Sequence, residues 1–190
     1  MIRIGIIGDI GSGKSYVASN FGYPVFNADK EVSKIYKINK KVFIRLKKKL
    51  PKYISLFPIN KTEITKAILS NKVNLKKIIS VVHTEVRKSL KLFLKKNKKR
   101  KIVVLDIPLL LENKINNQND ILVFVDSKKA EIEKRLKKRP NFNRKLLNKF
   151  KKIQFSTAYK KEKSNFVIKN DFRKTTVKKY VKNIIKQILK

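Results

Sequence analysis

The sequence predicts an α/β fold: a doubly wound parallel sheet of five strands, with a helical insertion after the second strand. Three observations support this prediction. Short runs of β-branched and aliphatic residues alternate with helical patterns. Residues 30–100 contain helical patterns and no clear strand. Four of the five glycines in the 190-residue chain lie between Gly5 and Gly13, where the first apolar run ends.

The elements of the first half follow from the spacing of apolar residues. Residues 2–7 (IRIGII) predict a buried strand that leads into the glycines, and residues 14–21 predict an amphipathic helix. Residues 23–29 (YPVFNAD) predict a second short strand. In the insertion we expect four helices, at residues 31–38, 41–49, 62–71 and 74–94.

Strand patterns return in the second half as nearly continuous apolar runs, which are typical of parallel strands buried on both faces. The expected elements are strands 102–108 and 120–126, helices 128–139 and 143–161, strand 165–170 and helix 175–189. We therefore assign residues 1–29 and 101–190 to the sheet domain and residues 30–100 to the insertion.

The charge of the chain is extreme, with 50 Lys and Arg against 13 Asp and Glu, a net charge of +37. Such a surface would attract polyanions, including nucleic acid. The lysines, however, are spread over every helix face, and Asn, Ile and Phe are abundant with them, which favours compositional drift. We expect no dedicated nucleic-acid partner. The absence of cysteine, secretory segment and membrane span predicts a cytoplasmic protein without a membrane partner.

The glycine cluster contains a phosphate-binding pattern, G-x-x-x-x-G-K-S, formed by Gly8, Gly13, Lys14 and Ser15. Glycines allow successive main-chain N–H groups to converge on phosphate oxygens. Lys14 would then reach the β- and γ-phosphates of a nucleotide, and the Ser15 hydroxyl would hold Mg²⁺. Because an apolar strand precedes the pattern and a helix follows it, the sequence predicts ATP binding here.

Acidic residues are scarce, so their positions are informative. Asp29 and Asp106 fall at the carboxyl ends of predicted strands, the edge at which open α/β sheets bind ligands. There a carboxylate can accept a proton or join the shell of Mg²⁺, although Asp29 could instead cap the following helix. Glu112 either stabilises the first turn of a helix or belongs to the ligand-binding site. Asp9 would place a negative charge near the phosphates, so we expect its side chain to turn outward.

Two arginines and a single histidine are further candidates. Arg135 and Arg139, four residues apart, are predicted to share one face of a helix, and guanidinium groups suit a phosphoryl group in transfer. His83 lies beside the apolar stripe of the long helix 74–94. No Ser or Asp partner pattern surrounds it, which favours a structural histidine over a catalytic one.

At this point the motifs resemble a known family along essentially the whole chain. The segments GIIGDIGSGKS, VFNAD, VVH, VVLDIPLLLE, DILVFVD, RLKKR, KIQ and FVIKN are similar in order and spacing to the motifs of dephospho-CoA kinases. The resemblance implies a P-loop kinase-like fold that transfers the ATP γ-phosphate to the ribose 3′-hydroxyl of dephospho-CoA, the last step of coenzyme A synthesis. It also implies that the insertion binds CoA and that residues 135–160 form a mobile helical lid.

The resemblance assigns roles to individual residues. Those that match the family's ATP-binding positions are Gly11, Ser12, Gly13, Lys14, Ser15, Tyr16 and, near the adenine, Asn170. Asp29 matches the position of the family's base for the 3′-hydroxyl. The resemblance also implies that Lys14, Arg135 and Arg139 are catalytic. The positions that match the substrate side are His83, Asp29, Lys61, Pro108, Leu109 and Glu112. Gln154 matches a glutamine of the lid helix.

Several positions depart from the family pattern. Asp9 stands where the family has a loop glycine, Tyr16 where it has a threonine, and Asn27 where it has an aspartate. Lys61 stands in place of an arginine, and Thr84 in place of a proline. Asn27 removes a carboxylate but keeps an oxygen acceptor, and Lys61 loses a bidentate grip on phosphate. Three alternatives stay open: a kinase of another small hydroxyl such as a shikimate-like acceptor, a basic P-loop protein that binds nucleic acid, and a homologue that binds ATP without transferring phosphate.

Overall fold

Five parallel strands form the sheet of the computed structural model, which describes residues 1–140 and 142–190. The strands are β1 (Ile2–Gly8), β2 (Val25–Asn27), β3 (Ile102–Asp106), β4 (Ile121–Asp126) and β5 (Phe166–Lys169). Their order across the sheet is β2-β3-β1-β4-β5, so β1 is the central strand and lies between β3 and β4. The predicted five-stranded parallel sheet is confirmed, and the loop after the central strand β1 contains the glycine cluster.

The helices described are α1 (Lys14–Ser19), α2 (Ala28–Ile38), α3 (Lys40–Lys49), α4 (Lys61–Ser70), α5 (Lys72–Lys96), α6 (Lys129–Lys137), α7 (Arg144–Lys151), α8 (Thr157–Glu162) and α9 (Lys174–Ile188). Most lie close to their predicted ranges. Helix α2 begins earlier than expected, so Asp29 lies in its first turn. The expectation that Asp29 ends a strand is therefore wrong, since β2 stops at Asn27.

The single helix predicted for residues 143–161 is also wrong. The structure has two helices there, α7 and α8, with turns between them. The Ser156 side chain accepts a hydrogen bond from the main-chain N–H of Tyr159 at 3.1 Å, which caps a new helix. The apolar spacing continues through this break at Ile153 and Phe155, which is why the sequence pattern did not reveal it.

The chain divides into two compact units, one of residues Met1–Asn27 and Asn97–Lys190 and the other of residues Ala28–Lys96. In the first unit, a cluster of buried side chains from β1, β3, β4 and β5 packs with α1 and α9. Its members are Ile4, Ile6, Val17, Ala18, Phe21, Ile102, Val104, Val123, Val125, Ile168, Val177, Val181 and Ile184. Burial of this apolar surface fixes β1 and α1, and with them the two ends of the glycine loop.

The second unit is helical, and α5 is its central element. α2, α3 and α4 each pack against α5, which buries one apolar stripe formed by Ile78, Val81, Val82, Val86 and Leu90. Within the described ranges, neither α5 nor any other helix is both long and apolar enough to cross a membrane.

Candidate active site

The glycine loop follows β1 and leads into α1 at Lys14. Gly13 has φ +94°, and a Cβ atom built on it would lie 2.6 Å from Asn170 Nδ2. At Gly8, where φ is +146°, a Cβ atom would lie 2.8 Å from the carbonyl oxygen of Val125. Both the backbone conformation and the close approach of Asn170 and of β4 therefore require glycine here.

Lys14, the first residue of α1, folds back over the loop. Its Nζ donates hydrogen bonds to the carbonyl oxygens of Gly8 at 3.0 Å and Asp9 at 2.8 Å. The ammonium group is thus held against the loop backbone rather than extended into solvent. A cation in this position, at the amino end of α1, is suited to a phosphate chain.

Neighbouring strands brace the loop at Ser12, which is fully buried. The Ser12 carbonyl oxygen accepts hydrogen bonds from Asn170 Nδ2 at 2.8 Å and from Ser127 Oγ at 3.0 Å. Asn170 is itself fixed, because its main-chain N–H donates to the carbonyl of Asp126 at 2.7 Å. The structure therefore places Asn170 against the loop; its predicted proximity to adenine stays a prediction. The bracing residue Ser127 was not identified from the sequence.

The two candidate arginines lie in different settings. The Arg135 guanidinium lies 4.3 Å from the centre of the Phe172 ring, a cation–π contact at the side of the loop that Asn170 contacts. Helix α6 ends at Lys137, and Arg139 is in the following turn, where its N–H donates to the Leu136 carbonyl. The prediction that both arginines share one helix face is therefore wrong, since the helix is too short.

At the carboxyl edge of the sheet, Asn27 and Asp106 are opposite each other in the register of β2 and β3. Asn27 Nδ2 donates to Asp106 Oδ2 at 2.5 Å, and Asp106 is 3% exposed. A buried carboxylate is costly without a donor. The amide of Asn27 supplies one, whereas an ionised aspartate at position 27 would repel Asp106.

The segment after β3 turns sharply through Pro108 and Leu109, and Leu109 has φ +58°. Glu112, three residues later, accepts a hydrogen bond at its Oε1 from the main-chain N–H of Phe155, at 2.9 Å. Glu112 and Gln154 line a small cavity together with Lys14. Two residues that were predicted for the substrate side and the lid thus lie beside the loop lysine.

Asp9, whose side chain was expected to turn outward, points toward α8. Its Oδ1 accepts from Lys160 Nζ at 2.6 Å and its Oδ2 from the Thr157 hydroxyl at 2.9 Å. Burial opposes the charge of the carboxylate, but the contacts with Lys160 and Thr157 outweigh this and lower the pKa of Asp9. Sequence reasoning missed Lys160, which is one lysine among many and carries no local signal.

In the helical unit, Asp29 is exposed and borders a cavity of about 400 Å³ along α2. The other lining residues are Lys30, Ser33, Lys34, Lys37 and Ile38. Lys61, at the start of α4, donates through Nζ to the Ser33 hydroxyl at 2.9 Å. A carboxylate among several ammonium groups forms a surface that suits a polyanionic ligand with an adjacent hydroxyl.

His83 is half-buried on α5. Burial, and after it the positive charge of Arg87, lower the pKa of His83, so the imidazole is neutral at pH 7. Burial and a neighbouring charge thus account for the lowered pKa of His83. The predicted contact of His83 with substrate stays a prediction.

Residues 2–176 match the family model described as dephospho-CoA kinase. The chain belongs to the dephospho-CoA kinase family. Curated relatives of that name agree: one from Wolbachia pipientis wMel is 36% identical over 187 residues, which cover 96% of this chain and 95% of the relative. Another, from the Wolbachia of Brugia malayi, is 34% identical over 187 residues with the same coverage.

Solved structures show the same fold. A structure titled TT1252 from Thermus thermophilus has a TM-score of 0.80 at 24% identity and covers 100% of this chain and 98% of its own. A dephospho-CoA kinase from Campylobacter jejuni has a TM-score of 0.64 at 20% identity, with coverage of 98% and 96%. The predicted P-loop kinase-like fold and family membership are confirmed, and with them the prediction of an ATP-dependent kinase.

Proposed function

We propose that this chain transfers the γ-phosphate of ATP to the ribose 3′-hydroxyl of dephospho-CoA. One observation supports the proposal most strongly: the family's phosphate-binding pattern is built here as a braced glycine loop, with the Lys14 ammonium held against it. The family match over residues 2–176 adds the acceptor, because the matching model is described as dephospho-CoA kinase.

On the ATP side, we propose that main-chain N–H groups of residues 11–16 bind the phosphates while Lys14 turns from its carbonyl partners to the β- and γ-oxygens. The loop is braced by Asn170 and Ser127, so little reorganisation accompanies binding. We assign the adenine to the surface beside Asn170 and Phe172, with Arg135 next to it.

The donor set fits Mg²⁺. The Ser15 hydroxyl at the start of α1 and the buried Asp106 carboxylate are both hard oxygen ligands, which Mg²⁺ prefers. In the described parts of the chain no three His, Cys, Asp or Glu side chains converge on a metal position. When bound, Mg²⁺ would neutralise charge on the phosphate oxygens.

On the acceptor side, we propose that Asp29 orients the 3′-hydroxyl and accepts its proton as the new bond to phosphorus forms. The lysines beside Asp29 and the Lys61 ammonium would bind the diphosphate of dephospho-CoA. We assign His83, Pro108, Leu109 and Glu112 to the same substrate. Arg135 and Arg139 would stabilise the phosphoryl group and exclude water.

We further propose that the enzyme works in the cytoplasm on soluble ATP and dephospho-CoA. Neither a membrane nor a nucleic acid is then a partner, and the basic surface reflects composition. Salt titration of oligonucleotide binding tests the second point. Weak binding without sequence preference, lost as salt rises, is the expected result.

A panel of acceptors tests the proposed function. Purified protein is incubated with ATP and Mg²⁺ plus dephospho-CoA, shikimate or a nucleoside, and ADP release is measured. Shikimate belongs in the panel because the shikimate kinase of Bacteroides thetaiotaomicron shares the fold, with a TM-score of 0.55. We expect ADP release with dephospho-CoA alone. Release with another acceptor, or with none, would contradict the proposal.

A further inference from the structure

An ion pair between a buried lysine and a half-buried aspartate joins the phosphate-binding loop to α8. The Asp9 carboxylate and the Lys160 ammonium are 2.6 Å apart, and the Lys160 side chain is only 3% exposed. The second carboxylate oxygen accepts from Thr157, the first residue of α8. These contacts satisfy three polar groups, of which the Lys160 ammonium is buried and the Asp9 carboxylate is half-buried.

The position of Asp9 makes its charge relevant to nucleotide binding. Its own carbonyl oxygen accepts from Lys14 Nζ at 2.8 Å, so Asp9 belongs to the loop that holds the phosphate-binding lysine. An unneutralised carboxylate there would repel a triphosphate, and the repulsion is strong where the local dielectric is low. Lys160 also lines the same small cavity as Gly8 and Lys14.

Lys160 is held in place from a second direction. The turn before α8 is anchored to the segment after β3, because Glu112 accepts from the main-chain N–H of Phe155 at 2.9 Å. Ser156 then caps α8, which begins three residues before Lys160. The ammonium is therefore positioned by backbone contacts that do not depend on Asp9.

We propose that Lys160 is a positioning residue that neutralises Asp9 and thereby sets the affinity of the loop for the phosphates of ATP. The inference rests on the proposed function, in which this loop binds ATP. It also accounts for an acidic residue in a phosphate-binding loop: the loop remains able to bind anions because α8 supplies the compensating charge.

Two variants that should change the affinity for ATP in opposite directions test the proposal. Lys160→Met leaves a half-buried carboxylate in the loop uncompensated, so we expect ATP to bind about tenfold more weakly. Asp9→Asn leaves the ammonium uncompensated, so we expect ATP to bind about threefold more tightly. In the double variant both charges are absent, and we expect an affinity near that of the unchanged protein. Isothermal titration of the full chain with MgATP measures all of these affinities.

Lys163→Met is the matched control, because this lysine of the turn after α8 is exposed and its ammonium contacts the near neighbours Glu162 at 3.3 Å and the Tyr159 ring at 5.6 Å. Its affinity for ATP should be unchanged. If Lys160→Met and Asp9→Asn both weaken ATP binding, or if neither changes it, the pair has a purely structural role and the inference is overturned. ATP binding without turnover of dephospho-CoA would contradict the proposed function while leaving this inference testable by the same titration.

Discussion

The two compact units hold their charged groups in different ways. In the sheet unit each important carboxylate has a fixed partner: half-buried Asp9 pairs with buried Lys160, and buried Asp106 accepts a hydrogen bond from Asn27. In the helical unit Asp29 and Lys61 are exposed on helix surfaces. Buried pairs are preorganised and costly to disturb, whereas exposed groups adapt to a ligand. Substitutions in the sheet unit should therefore alter folding and ATP binding, and those in the helical unit should alter use of the acceptor.

The largest effect is expected for Asp29→Asn, which tests whether substitutions in the helical unit affect use of the acceptor and not ATP binding. If Asp29 accepts the proton of the hydroxyl, kcat should fall by roughly 10²–10⁴-fold, the usual contribution of a general base. The affinity for ATP should stay nearly the same. Steady-state kinetics with ATP titration measures both quantities. Glu31→Gln, in the same turn of α2, is the control and should keep its kcat.

The second largest effect is expected for a substitution in the glycine loop. Gly13→Ala forces a Cβ atom to 2.6 Å from Asn170 Nδ2 at a positive φ, so we expect a loss of about 1–3 kcal/mol of stability and ATP affinity at least tenfold weaker. Gly22→Ala is the matched control. Its φ is +72° but no atom lies within 4 Å of the added Cβ, so only stability should fall. Equal ATP affinities for the two variants, measured beside their thermal unfolding, would contradict the close approach.

A smaller change is expected for Lys61→Ala. Loss of one exposed ammonium should raise KM for dephospho-CoA about three- to tenfold while KM for ATP is unchanged. Lys66→Ala, at another exposed position of α4, should leave both constants as they are. A rise in KM for ATP instead would assign Lys61 to the other substrate.

The smallest effect concerns His83, whose pKa is lowered in the folded chain by burial and by Arg87. Its ordinary value is about 6.5, so on acidification the unfolded chain takes up this proton first. Stability should then be lost as the pH falls from about 6.5 toward the lower folded pKa. Thermal unfolding between pH 7 and pH 5 should show a smaller decrease for His83→Gln than for the unchanged chain. Equal decreases would show that His83 does not contribute.

Much of the sheet unit could be predicted because its signals are local. A continuous apolar run followed by closely spaced glycines identifies β1 and its loop. Residues other than glycine rarely adopt the positive φ angles of such a loop. The same reasoning identified Lys14 and Ser15 by their position in the pattern. Nothing comparable exists for a contact between residues distant in sequence, so the partners of Asp9 and Asp106 could not be identified.

The incorrect predictions have the same origin. The break between α7 and α8 depends on Ser156 capping a new helix, and the apolar spacing on either side gives no sign of it. Arg139 was placed on a helix because it is four residues from Arg135, but α6 ends before it. In the sequence Lys160 resembles the other lysines of the chain, and its burial and its contact with Asp9 arise only from the fold.

Phosphorus NMR of the reaction product tests the central claim most directly. Dephospho-CoA, ATP and Mg²⁺ are incubated with the protein, and the new phosphomonoester is assigned by its coupling to the ribose protons. We predict a single product phosphorylated at the 3′-hydroxyl, formed in proportion to ADP. A phosphate at any other position, or unchanged dephospho-CoA in the presence of protein that binds ATP, would contradict the account.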